Sequence, residues 1–201
     1  RQYVDVMAVI LPFEVSIYQQ AGVPVKFVGH PLSHKVKAQL SAEAFRAQLG
    51  IPADQRIITL LPGSRRNEIK RLLPIIIDSA VLLQRADPNL HFVMPIAPTL
   101  AITDIKAQIQ QRLKPNEDLQ LSVIDRQVYD ALQYAHCAIS CSGTVTLEAT
   151  FLQTPMVIIY RSSWLTYIAA RLIVKVKYLG LCNLLAQQAI VPELLQYDAT
   201  P

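Results

Sequence analysis

Short runs of apolar residues alternate along this chain with longer stretches in which apolar positions recur every three or four residues. That alternation is the signature of strands and crossover helices in a parallel α/β sheet. The runs Val4–Leu11 and Val25–Val28 read as strands flanking a helix at Phe13–Gln20. The rhythm then breaks in the polar, turn-rich "GHPLSHKVKAQLSAEAF", which places an interdomain linker at residues 30–37.

Beyond the linker the alternation resumes. Strands are expected at Ile57–Leu61, His91–Met94, Leu119–Ile124, Cys137–Ser140 and Met156–Tyr160. Helices are expected at Asn67–Arg85, Ile102–Leu113, Val128–Tyr134 and Thr144–Leu152. Five such strands make a doubly wound, Rossmann-like domain over residues 38–201. Pro74 lies inside the first long helical stretch, and its missing N–H predicts a break or a restart there. Residues 1–29 are too few to form a domain and read as the closing strand-helix-strand of a preceding one, with an apolar face left open.

Composition narrows this picture only modestly. Of 201 residues, 52% are hydrophobic, and mean hydropathy is +0.28, so a core is assured and disorder is excluded. Nineteen Lys and Arg against fifteen Asp and Glu give a net charge of +4, which favours anionic partners. Cys137, Cys141 and Cys182 match neither a zinc pattern nor a disulfide framework, and His30, His34 and His136 pair into no metal site. No small-residue cleavage site follows the first strand-like run, and no stretch reaches the roughly 20 apolar residues of a membrane-spanning helix.

In an open α/β sheet ligands bind beyond the carboxyl ends of the strands, and two turns there carry chemistry. In "LLPGSRRNEI", Gly63 permits a tight turn, Ser64 offers a hydroxyl, and Arg65 offers a planar fork suited to phosphate oxygens. The helix that follows directs free N–H groups and its positive end at the same spot. The plainer alternative is an exposed basic turn with Ser64 as helix cap. In "SCSGTVTLEA", Ser142, Gly143 and Thr144 form a small-residue turn, and Glu148 lies one helical turn on from Thr144 as an acceptor for vicinal ribose hydroxyls. Here the alternative is Thr144 as a cap and Glu148 as a complement to the helix dipole. Two turns converging on one crevice suit a diphosphate with an attached ribose. Neither the P-loop nor the dinucleotide fingerprint is present, and "RRNEIKR" is too short and too free of aromatics to indicate nucleic acid.

The ordered motifs "FVGHPL", "LLPGSRRNEI", "SGTVTLEAT", "PMVIIYR" and "NLLAQQAIVPELLQ" resemble the lipid-A-disaccharide synthase family from Tyr3 to Pro201. The resemblance implies an inverting glycosyltransferase of two Rossmann-like domains (GT-B), of which this chain holds the end of the first and most of the second. It implies transfer of 2,3-diacylglucosamine from UDP-2,3-diacylglucosamine to 2,3-diacylglucosamine 1-phosphate (lipid X), releasing UDP, in the lipid A pathway of Gram-negative bacteria. It further implies no metal or other cofactor, a cytoplasmic enzyme peripheral on the inner face of the inner membrane, and a homodimer as one option. Arg65 then corresponds to the arginine facing the diphosphate, Glu148 to the glutamate holding the ribose, and Asn183 to an asparagine important for activity. By analogy the backbone around Ile124 meets the uracil, and Arg161 is a further candidate for stabilising the leaving group. The general base belongs to the preceding domain, so these residues alone are expected to bind UDP weakly without turnover. A two-domain UDP-sugar 2-epimerase and a non-catalytic nucleotide-binding module are the alternatives. In "YRSSWLTYIAARLIVKVKYLGL", Trp164 and Lys175 mark a basic, aromatic edge that suits either a membrane headgroup region or a solvated core helix.

Overall fold

Strands buried on both faces need continuous apolar runs, and the central strand β3 (Arg56–Leu61) has one: every residue after Arg56 is buried. The computed structural model describes residues 3–115, 117–163 and 178–201. Trp164 and Lys175, the expected membrane-edge residues, lie outside them.

The remaining strands of the main sheet are β4 (Leu90–Ile96), β5 (Leu121–Asp125), β6 (Cys137–Cys141), β7 (Met156–Tyr160) and β8 (Glu193–Leu195). Their order is β5-β4-β3-β6-β7-β8, with every pairing parallel. Two halves therefore grow outward from the β3/β6 boundary, the doubly wound arrangement with its switch point at that boundary. The sixth strand, β8, adds to the five expected. Its three half-buried residues carry too little periodicity to be read as a strand, and pairing with β7 at Ile158↔Glu193 organises it.

Helix α3 runs unbroken from Arg66 to Ala86 with Pro74 inside, which corrects the expected break. Ile69, Leu72, Leu73, Ile75, Ile76, Ile77 and Ala80 are buried on the sheet. An interior proline costs about 3 kcal/mol, whereas each large aliphatic side chain buried contributes about 1.5–3 kcal/mol, so packing outweighs the lost bond. Helix α4 (Ile102–Arg112) joins α3 on the same face through Ile105 and Ile109.

The opposite face carries α2 (Ala42–Leu49), α5 (Val128–Gln133), α6 (Val145–Phe151) and α7 (Leu181–Ala186). Helix α2 falls in the stretch the pattern leaves without structure. Ser41 Oγ caps it by accepting from Ala44 N–H, Gly50 closes it at φ +67°, and Phe45, fully buried, anchors it beside Tyr134.

Ahead of residue 30, β1 (Met7–Val9) and β2 (Val25–Phe27), joined by α1 (Glu14–Gln20), form a separate two-stranded parallel sheet. Val9 and Val23 are buried, while Val6, Ile17, Phe27 and Val28 are exposed. Between the two sheets, Pro31–His34 forms a single 3-10 turn capped by His30 Nδ1, which accepts from Leu32 N–H. The His30 ring stands 6.2 Å from that of Phe151 on α6. Among the described residues no helix is long and apolar enough to cross a membrane.

Candidate nucleotide-binding site

Because β3 and β6 are neighbours at the switch point, with Leu61 paired to Ser140, the turns that follow them emerge side by side. Between them lies a cavity of about 920 Å³. Gly63, Ser64 and Arg65 from the first turn and Ser142, Gly143, Thr144 and Glu148 from the second all line it. One wall is the end of β4 and the turn after it, Pro95–Pro98, and the other is Arg126–Asp130 after β5. Seven residues singled out in the sequence are thus brought together in one crevice.

The two turns are built differently. In the first, Arg65 is the N-cap of α3, and the Glu68 side chain reaches back one turn to accept from the N–H groups of Ser64 and Arg65. Ser64 is not the cap; its carbonyl instead accepts from Thr99 Oγ1 at 2.6 Å. An internal carboxylate therefore holds the Ser64 and Arg65 N–H groups, ahead of the helix whose first N–H groups are expected to face a ligand. In the second turn, Thr144 is the N-cap of α6 without a side-chain capping bond, and Ser142 Oγ donates to Leu179 O at 3.1 Å.

Glu148 is half-buried and takes a 3.1 Å hydrogen bond from the Tyr129 hydroxyl. Burial raises its carboxyl pKa, an effect the Tyr129 bond partly opposes. The Tyr129 phenol is pushed up in turn, first by burial and then by the neighbouring Glu148 charge. Asp130, buried beside it, accepts from the N–H groups of Gln39 and Leu40 at 2.8 Å each. Consecutive left-handed residues, Arg126 at φ 56° and Gln127 at φ 49°, shape the adjoining rim. Two non-glycine residues in that region cost of order 1–3 kcal/mol each, and such strain clusters at functional sites.

The family profile for lipid-A-disaccharide synthetase matches residues 1–201. The chain belongs to the lipid-A-disaccharide synthetase family. Over 198 residues it is 49% identical to lipid-A-disaccharide synthase 1 of Legionella pneumophila (strain Lens), covering 98% of this chain and 50% of that protein. To the lipid-A-disaccharide synthase of Trichlorobacter lovleyi it is 43% identical over 201 residues, covering 100% and 51%. The chain therefore spans about half the length of the curated relatives it matches. The crystal structure of UDP-GlcNAc 2-epimerase from Neisseria meningitidis bound to UDP-GlcNAc superposes with a TM-score of 0.51 at 18% identity, over 84% of this chain and 48% of that one. That likeness shows a shared fold.

Not every residue singled out on the lipid-A-disaccharide synthetase pattern reaches the cavity. Ile124 is buried in a core cluster with Phe45, Ile57 and Val93; Arg126, two residues on, lines the cavity in its place. Arg161 is exposed at the end of β7 and is not among the lining residues. Asn183 is fully buried. Its Nδ2 donates to Val191 O and Glu193 Oε1, and its Oδ1 accepts from the N–H groups of Ile190 and Val191. Such an amide has no group left to offer a substrate. Leu181, two residues earlier, lines the cavity instead, and Asn183 fixes α7 against the segment that leads into β8.

Sequence reasoning missed Tyr129, Glu68 and Asp130. Glu68 carried a signal, an acid three residues after the helix N-cap. Tyr129 and Asp130 carried none, since their partners are distant in sequence.

Proposed function

We propose that this chain supplies the UDP-sugar-binding half of a lipid-A-disaccharide synthase. The observation that carries this reading is the single cavity walled by both Arg65 and Glu148, a guanidinium suited to a diphosphate and a carboxylate suited to a pair of ribose hydroxyls. The family match and the identity to named synthases support the same reading.

In the proposed reaction a hydroxyl oxygen of 2,3-diacylglucosamine 1-phosphate attacks the anomeric carbon of UDP-2,3-diacylglucosamine. A general base takes the hydroxyl proton, the new C–O bond forms with inversion, and the bond to UDP breaks with its electron pair leaving on the diphosphate. Arg65 counters the charge that develops there. Glu148 is assigned to the ribose, so the base is proposed to come from outside residues 38–201. The epimerase reading rests on fold likeness alone, and the family match favours transfer.

Calorimetric titration of UDP, UMP and NAD tests the reading. UDP is expected to bind more tightly than UMP, Arg65→Ala to reduce UDP to the level of UMP, and Glu148→Gln to weaken both by about tenfold. Equal affinity for all three, or preference for NAD, would overturn it. The peripheral membrane role proposed for the Trp164–Lys175 segment is tested by co-sedimentation with anionic liposomes; unchanged binding in Trp164→Ala and Lys175→Ala removes it.

A further inference from the structure

Glu68 stands where the sequence pattern expects a bound anion. Its Oε2 accepts from Ser64 N–H at 2.9 Å and Arg65 N–H at 3.2 Å, and its Oε1 lies 3.3 Å from the Arg65 guanidinium. Successive backbone N–H groups converging on a carboxylate form an anion nest, and this nest is filled from within the chain. The two charged partners differ sharply in exposure: the Glu68 side chain is 22% exposed and that of Arg65 is 83%. Glu68 is therefore part of the wall, whereas Arg65 projects from it.

Gly63 shows the same construction. It sits at φ +121°, and a Cβ added there would fall 2.5 Å from Glu68 Oε2 and 2.7 Å from Glu68 Cβ. Such an approach is excluded by the van der Waals radii, so any side chain at 63 would drive Glu68 out of the nest. The glycine makes room for the chain's own carboxylate before any ligand arrives. The Thr99 hydroxyl on the Ser64 carbonyl braces the turn from the other side.

We propose that Glu68 is a positioning residue of the nucleotide site: it occupies the Ser64 and Arg65 N–H groups, so that at these two positions the β3–α3 turn meets a diphosphate through the Arg65 side chain and not through its backbone. The proposal rests on the UDP reading above. A ligand phosphate that instead displaced Glu68 from the nest would make the carboxylate a competitor, and the two arrangements predict opposite signs on removing it.

The test combines calorimetry with hydrogen exchange on the 201-residue chain and its Glu68→Ala and Glu68→Gln variants. Glu68→Ala is expected to weaken UDP by about tenfold, the scale of one charge-assisted contact, and to leave uridine unchanged. Glu68→Gln, whose amide oxygen still accepts a hydrogen bond, is expected to recover most of that loss. Without ligand, the Ser64 and Arg65 N–H groups are expected to exchange at least about tenfold faster in Glu68→Ala, as a lost hydrogen bond dictates. Tighter UDP binding in either variant would show competition and overturn the proposal. Unchanged exchange in Glu68→Ala would overturn it without any nucleotide. Failure of the UDP reading looks different: the wild-type chain would then bind UDP no better than uridine, while the exchange measurement would still report on Glu68.

Discussion

The Tyr129 hydroxyl donates to Glu148 Oε1 at 3.1 Å, joining α5 to α6 across the cavity that both residues line. A hydrogen bond to a carboxylate favours its ionised form. Tyr129→Phe therefore raises the Glu148 pKa further above the ordinary value. If ionised Glu148 receives the ribose, the acid limb of UDP affinity moves to higher pH in this variant, so that affinity on that limb falls by roughly three- to tenfold and converges with wild type at more alkaline pH. Superimposable pH profiles for the variant and the wild type would exclude the role.

Glu148 also sets a pH dependence of stability. Its folded-state pKa is raised, chiefly by burial, so the native state holds its proton more tightly than the unfolded state does. Stability then declines as pH rises from the ordinary glutamate range through the raised value. Glu148→Gln removes that penalty, and the variant is expected to melt higher than wild type at pH 7 while the difference vanishes at pH 4. Melting curves at the two pH values check the sign.

Asn183→Ala removes a part-buried hydrogen bond from each of the Ile190 and Val191 N–H groups, the Val191 carbonyl and the Glu193 carboxylate, although the Ile190 N–H keeps Gln188 O and Glu193 Oε1 keeps Gly180 N–H. Unsatisfied buried groups cost about 1–3 kcal/mol each, with partial relief by water. A loss of about 2–4 kcal/mol in denaturant unfolding is expected. UDP affinity of the folded fraction should change less than it does in Arg65→Ala. An Asn183→Ala chain of native stability that no longer binds UDP would contradict a scaffolding role.

The three thiols should be inert in the native state. Burial pushes Cys141 up to about 12 despite its place in the cavity wall, and it raises Cys137 and Cys182 as well. Since the thiolate is the nucleophile, iodoacetamide at pH 8 is expected to label none of them rapidly. All three should react once denaturant is added, as intact-mass measurement would show.

What could be read from the sequence follows a physical divide. The central strands and the turns after them declare themselves because each is local: an unbroken apolar run, then glycine or small residues, then a helical period. That was enough to place Arg65 and Glu148 at neighbouring strand ends. Elements stabilised by distant partners stay silent. Helix α2 depends on one aromatic, Phe45, packing beside Tyr134. Strand β8 depends on β7, and Tyr129 has meaning only beside Glu148. Pro74 misled for the complementary reason: its local cost is real, but the burial that offsets it lies on the sheet. Asn183 was placed at the site by resemblance, and only its four hydrogen bonds separate a supporting amide from one that touches substrate.

The grip of Asp130 on the backbone of Gln39 and Leu40 has a mechanical consequence. It rivets the chain just ahead of α2 to a residue of the cavity wall, across about ninety positions of sequence. The helix of Asp130, α5, also carries the adjacent Tyr129, whose hydroxyl holds the Glu148 carboxylate, so one short element ties the backbone at Gln39 and Leu40 to the cavity wall.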